Sequence, residues 1–187
     1  MGEVIEFNLV SRKNLMKDLM HFMKKKLKGE NIRYKFEIMD NWEYQNAYEI
    51  DKEEMLSELV ESKIVTVTIF TTFGNLGLSG EYQGDVYIYC IWHHPKNEIP
   101  NERNDCIYDF IDFISHCYEK KEMIICAIGQ ETKFEYENEL AKTVKSSHNI
   151  DIWIISDQYY NPLFFHKYRK CKIRDYQKGE SNVVITA

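Results

Sequence analysis

Apolar positions along this chain recur at two spacings, and the switches between them mark out its elements. From Glu3 to Val10 they alternate, with Val4, Ile5, Phe7 and Leu9 apolar, which predicts a short strand. After Ser11, a candidate N-cap, the spacing changes to three and four. Leu15, Met16, Leu19, Met20, Met23 and Leu27 then fall on one helical face, closed by Gly29 as a C-cap. "IRYKFEIMD" returns to alternation with Ile32, Tyr34, Phe36 and Ile38 inward. Asp51 with Glu54 reads as a capping box for a helix burying Met55, Leu56, Leu59 and Val60. "IVTVTIFTTF" is β-branched and aromatic throughout, as a central strand requires. The glycine-rich "GNLGLSGEYQG" reads as a connection to the strand Asp85 to Trp92. Residues 41–50 and 158–180 carry no pattern that assigns them.

The second half is more regular. A helix from Arg103 to Glu119 would bury Ile107, Phe110, Ile111, Ile114 and Cys117, followed by an apolar strand from Met123 to Ile128. Thr132 with Glu135 is a second capping box, predicting a helix with Tyr136, Leu140 and Val144 inward. Strands Ile150 to Ile155 and Val183 to Thr186 complete the set. Strand, helix, strand, helix, strand predicts two consecutive βαβ units and three parallel strands. The expected fold is α/β (or α+β): one domain over 1–187, a mixed sheet with a parallel C-terminal part, and helices packed on it.

That topology creates the sharpest functional expectation. In open α/β sheets ligands bind beyond the carboxyl ends of parallel strands, where helix N-termini and loops converge. Here those ends carry His93 and His94, then Glu131, then Asp157. An imidazole–carboxylate set at one edge could hold a divalent metal or pair a base with a nucleophile. The plainer reading of "HHP" is a solvated turn, since Pro95 cannot continue a ladder. The phosphate-loop, nucleophile-elbow, zinc-protease and structural-zinc spacings are all missing. The sequence therefore leaves enzyme or binding protein undecided and specifies no cofactor or metal.

Charge changes the picture more than composition does. The 187 residues carry a formal charge of −6, with 13 Tyr and 10 Phe, but the charge is segregated. Residues 12–35 hold nine basic against two acidic side chains; residues 36–62 hold nine acids against one lysine; residues 167–178 hold six bases against one acid. In the acidic stretch Trp42, Glu43, Tyr44, Tyr48 and Glu49 place rings among carboxylates, suiting a docking face for a basic protein. The leading functional expectation is accordingly a binding protein of immunity, antitoxin or regulatory type. Nucleic acid is the third reading: Lys24, Lys25, Lys26, Arg169 and Lys170 would neutralise phosphates, and Phe164, Phe165 and Tyr168 would stack on bases. The acidic total argues against it.

No run reaches the length of a membrane span, and the start lacks a secretory n-region, so no membrane role is expected. Five cysteines, odd in number and without a C-x-x-C pair, predict reduced thiols and a cytoplasmic setting. Cys171, among basic neighbours, is the thiol expected to react first.

Overall fold

A computed structural model describes residues 4–27, 32–43, 46–71, 74–95, 110–111, 113–114, 123–177 and 183–186. Ten strands in these residues form one mixed sheet, in the order β3-β2-β4-β5-β6-β1-β7-β8-β10-β9. In chain order they are β1 (Ile5–Ser11), β2 (Arg33–Met39), β3 (Tyr48–Ile50), β4 (Ile64–Phe70), β5 (Gly74–Gln83), β6 (Val86–Pro95), β7 (Met123–Gln130), β8 (Ile152–Ile155), β9 (Arg169–Lys172) and β10 (Val183–Thr186). The helices are α1 (Met16–Lys26), α2 (Leu56–Leu59) and α3 (Leu140–Ser146), with further helical residues at 110, 111, 113 and 114.

Alternation along β1 explains the layering. Phe7 and Leu9 point to the face covered by α1, α2 and Phe110, Ile111 and Ile114, and the Phe7 and Phe110 rings stand 4.4 Å apart. Leu15, Met16, Leu19, Met20 and Met23 are buried against that face, so the apolar stripe read from sequence is the packed side of α1. A fully buried Leu or Met contributes roughly 1.5–3 kcal/mol by area, which makes this stripe the main tie between α1 and the sheet. Val10 points the other way, into a second cluster built on Trp153, Phe165 and Val184.

The parallel part differs from the sequence expectation. β6 and β7 do run the same way, but β1 lies between them, antiparallel to both. The first crossover therefore exists with a strand inserted in its middle. The second does not: β8 is antiparallel to β7, with Ile125 opposite Ile155 and Ile128 opposite Ile152. Parallel pairing instead joins β10 to β8 and to β9.

The expected helix from Thr132 is also shorter than its capping box suggests. Thr132 is not a cap: its backbone N–H and its hydroxyl both donate to Glu6 Oε2, at 2.7 and 2.5 Å, and its Oγ1 accepts from Asn8 Nδ2 at 2.8 Å. That tie to β1 holds the chain extended, Lys133 bridges His148, and helix begins only at Leu140. Ser11 likewise belongs to β1, while Asn14 Oδ1 accepts from the Met16 amide at the start of α1. The Asp51 box gives one 3-10 turn, Glu53–Met55, and the single turn of α2, with no side-chain cap bond.

The glycine-rich segment is a full strand, not a connection. A Cβ on Gly77 would come within 1.8 Å of the Trp92 indole, which lies across it from β6, and one on Gly80 would meet Met16 and Tyr89 at 2.8 Å. These glycines allow close approach inside β5. Only Gly84, at φ 71°, serves a turn. Among the described residues no helix is long and apolar enough to cross a membrane.

Candidate functional site

The expected strand-end constellation does not assemble. His93 and Gln130 both stand opposite Ile5, so His93 and the Glu131 that follows Gln130 do lie at one end of the sheet, although His93 is itself paired with Leu76 within β6. His94 is still in the ladder, opposite Asn75. Asp157 lies at the other end, because β8 runs against β7 and Ile155 pairs with Ile125. At about 3.4 Å per residue, the distance from Ile125 to Gln130 along β7 alone is roughly 17 Å. Glu131 takes φ 46° and donates its amide to Val4 O at 2.9 Å, closing the end of the strand. Asp157 serves a structural pair: it accepts from Lys170 at 2.6 Å and Lys172 at 2.7 Å. Those two hydrogen bonds hold its carboxyl down at about 2. Among the described residues, no group of three or more His, Cys, Asp or Glu could hold a metal ion.

The basic candidates are largely absorbed by the fold. Lys24 pairs with Glu53 and sits over the Tyr34 ring, 5.4 Å from its centroid. Lys170, besides holding Asp157, lies 4.3 Å from the centre of Tyr160. Lys25 is exposed on α1, Lys26 ends that helix, and Arg169 opens the edge strand β9. Of the rings proposed to stack on bases, Phe165 is buried and Tyr168 spends its hydroxyl on Ile150 O, leaving Phe164 at the surface.

The acidic, aromatic candidates lie on the edge strand β3 and the connection before it but on both faces: Glu49 shares one face with Glu37, and Tyr48 shares the α1 face with Ile38. β3 is a terminal strand, so one side of its backbone has no neighbour in the strand order. Tyr48 pairs with Ile38 yet stands 58% exposed, and Trp42, just before β3, is 45% exposed. The Trp42 indole is nonetheless fixed, because its Nε1 donates to Glu81 Oε2 at 3.0 Å while Gln83 donates to Oε1 at 2.8 Å. On the face opposite α1, Glu49 of β3 is the direct register partner of Glu37 of β2. Like charges facing each other across an antiparallel pair are unfavourable. Lys35, on the same strand face, donates to Glu37 at 2.7 Å and partly offsets the repulsion; that bond is the main reason its ammonium is held above the usual lysine range. Glu43 is exposed beside Trp42; Tyr44 lies outside the described residues.

Glu37 belongs to the acidic run read from sequence, but its partnership with Glu49 needed the strand register, and Glu81 and Tyr82 of β5 were not anticipated: Glu81 reaches the corner through its bond to Trp42. Tyr82 is 40% exposed and packs on Tyr87 at 4.8 Å. Tyr87 in turn donates to Glu61 at 2.5 Å, and burial with that carboxylate pushes its phenol up to about 12.

Cysteine reactivity is a further correction. Cys171 is 6% exposed, its side chain turned from the lysines beside it in β9, which removes the solvent access a reactive thiol needs. Cys90, Cys126 and Cys171 are all free, and burial pushes the Cys90 thiol up to about 12 and that of Cys126 higher still. No family model matches the chain, and no curated protein matches it.

Proposed function

We propose that this chain is a binding protein of the immunity, antitoxin or regulatory kind, whose β2–β3 corner receives a basic segment of another protein. One observation carries the reading: Glu37 and Glu49 face each other at a sheet edge, with Trp42 exposed in the connection between β2 and β3 and Tyr48 exposed on the opposite face of β3. An arriving Lys or Arg relieves the opposed carboxylates, and Trp42, its indole already bonded to Glu81, supplies apolar area at low entropy cost. A three-residue edge strand with a glutamate in its middle is a poor template for indiscriminate strand pairing, which restricts the partners it accepts. The free thiols at Cys90, Cys126 and Cys171 support a reducing, cytoplasmic setting for this role.

The test is affinity capture from the native host with the intact chain and with Glu37→Lys/Glu49→Lys, each at low and high salt. The reading expects a basic protein retained by the first, lost by the second and released by salt. Equal retention by both chains, with unchanged melting temperatures, overturns it.

A further inference from the structure

Away from that corner, α3 and the loop after β8 enclose a cleft of about 550 Å³ with the opposite electrostatic character. Lys142 and Lys145 reach it from α3 and Lys167 from the loop, and His148 and His166 complete the polar lining. Among the described residues no carboxylate lines it, in a chain with 30 acids against 24 bases. Glu139 pairs with Lys142 at 3.0 Å outside the lining, an exposed contact that is weak and easily exchanged.

The apolar side of the cleft is built rather than loose. The chain turns at Asn161–Pro162, where Asn161 Oδ1 accepts from the Leu163 amide at 3.0 Å and Asn161 O from the Phe164 amide at 3.0 Å. Phe165 then locks the loop into the core, about 6 Å from the rings of Trp153, Tyr160 and Tyr168. With Phe165 pinned inward, its neighbours are forced outward: Phe164 remains 39% and Leu163 79% exposed at the mouth. An exposed ring on a held loop, in one cleft with three lysines and of a volume typical of small-ligand sites, has a specific complement.

From this geometry we infer that the cleft binds a nucleoside phosphate, its phosphates on Lys142, Lys145 and Lys167 and its base against Phe164. The same chemistry is offered by a free mononucleotide and by one nucleotide of a single strand.

Isothermal titration of the whole chain with ADP, inorganic pyrophosphate, adenosine, a short oligothymidylate and phosphatidylserine vesicles tests this. ADP and pyrophosphate bind saturably, one per chain, and adenosine does not. Lys145→Glu with Lys167→Glu weakens both by about tenfold or more. Phe164→Ala weakens ADP but leaves pyrophosphate unchanged. Tighter binding of the oligomer than of ADP assigns the source to a strand, and the reverse to a free nucleotide. All substituted side chains are exposed, and matched melting temperatures confirm that the variants fold. Absence of saturable binding, binding indifferent to the lysine pair, or binding to the vesicles alone overturns the inference.

Discussion

Glu37 and Glu49 are direct cross-strand partners at the acidic edge of the sheet, with Lys35 bound to the first and no register position between them. Such a pair is retained at a cost to the fold, and that cost is measurable. Replacing Glu49 by Gln keeps the strand and its size but removes one of the opposed charges. Stability should rise by about 0.2–1 kcal/mol, read as a higher midpoint in urea, while capture of the partner falls. A stability loss would mean the carboxylates are held by the fold rather than in spite of it.

Gly77 and Trp92 make a second, purely structural pair. Because a Cβ would enter the indole at 1.8 Å, Gly77→Ala should destabilise by about 1–3 kcal/mol. Combining it with Trp92→Leu should recover part of that loss, so the double-mutant cycle gives a favourable coupling. Simple additivity of the two effects would contradict the close packing described.

Thr132 ties β1 to the turn after β7. Thr132→Val retains shape but leaves Asn8 and Glu6, both on β1, without a hydroxyl partner; a cost of about 1–3 kcal/mol is expected for buried or half-buried groups so orphaned. If Thr132 were instead an N-cap, the loss would appear as reduced helix content, and the far-ultraviolet spectrum distinguishes the two.

The Asp157 carboxylate gives a pH dependence of known sign. Its carboxyl is depressed to about 2 by bonds from Lys170 and Lys172. The contribution of the pair is therefore complete above the ordinary Asp value of 3.8 and is lost as pH falls through about 2. Following its carboxyl carbon by NMR should place the midpoint near 2. Since all three groups are exposed, Asp157→Asn should barely move the melting temperature at neutral pH. An ordinary midpoint would dissolve the pair.

Much of the fold was legible because burial imposes periodicity. β1, β2, β4, β6, β7, β8 and β10 and the packed face of α1 follow from alternation, from β-branched or continuously apolar runs, or from spacing by three and four. What spacing could not reveal was direction and partnership. Nothing local in the text says that β1 slips between β6 and β7, and that β8 turns back; both are long-range pairings. Asp157 moved to the wrong end of the sheet for the expected site for that reason alone. β5 was hidden by glycines whose purpose is Trp92 and Met16, residues far from them in sequence. Similarly, the Thr132 box was overridden by Glu6. At the acidic corner Glu37, Trp42, Glu43, Tyr48 and Glu49 were visible as composition, whereas the pairing of Glu37 with Glu49 and the bond from Trp42 to Glu81 needed the structure.

The central claim is that this corner is where a basic protein docks, and the most direct measurement places a photoreactive phenylalanine analogue at position 48 in the native host. Irradiation should give a discrete crosslinked species containing one basic protein, and Glu37→Lys in the same chain should abolish it without lowering the melting temperature. A control analogue at Leu163, even more exposed than Tyr48 but in the cationic cleft, should give no adduct with that protein. The same adduct from both positions, or a position-48 adduct untouched by Glu37→Lys, would contradict the account.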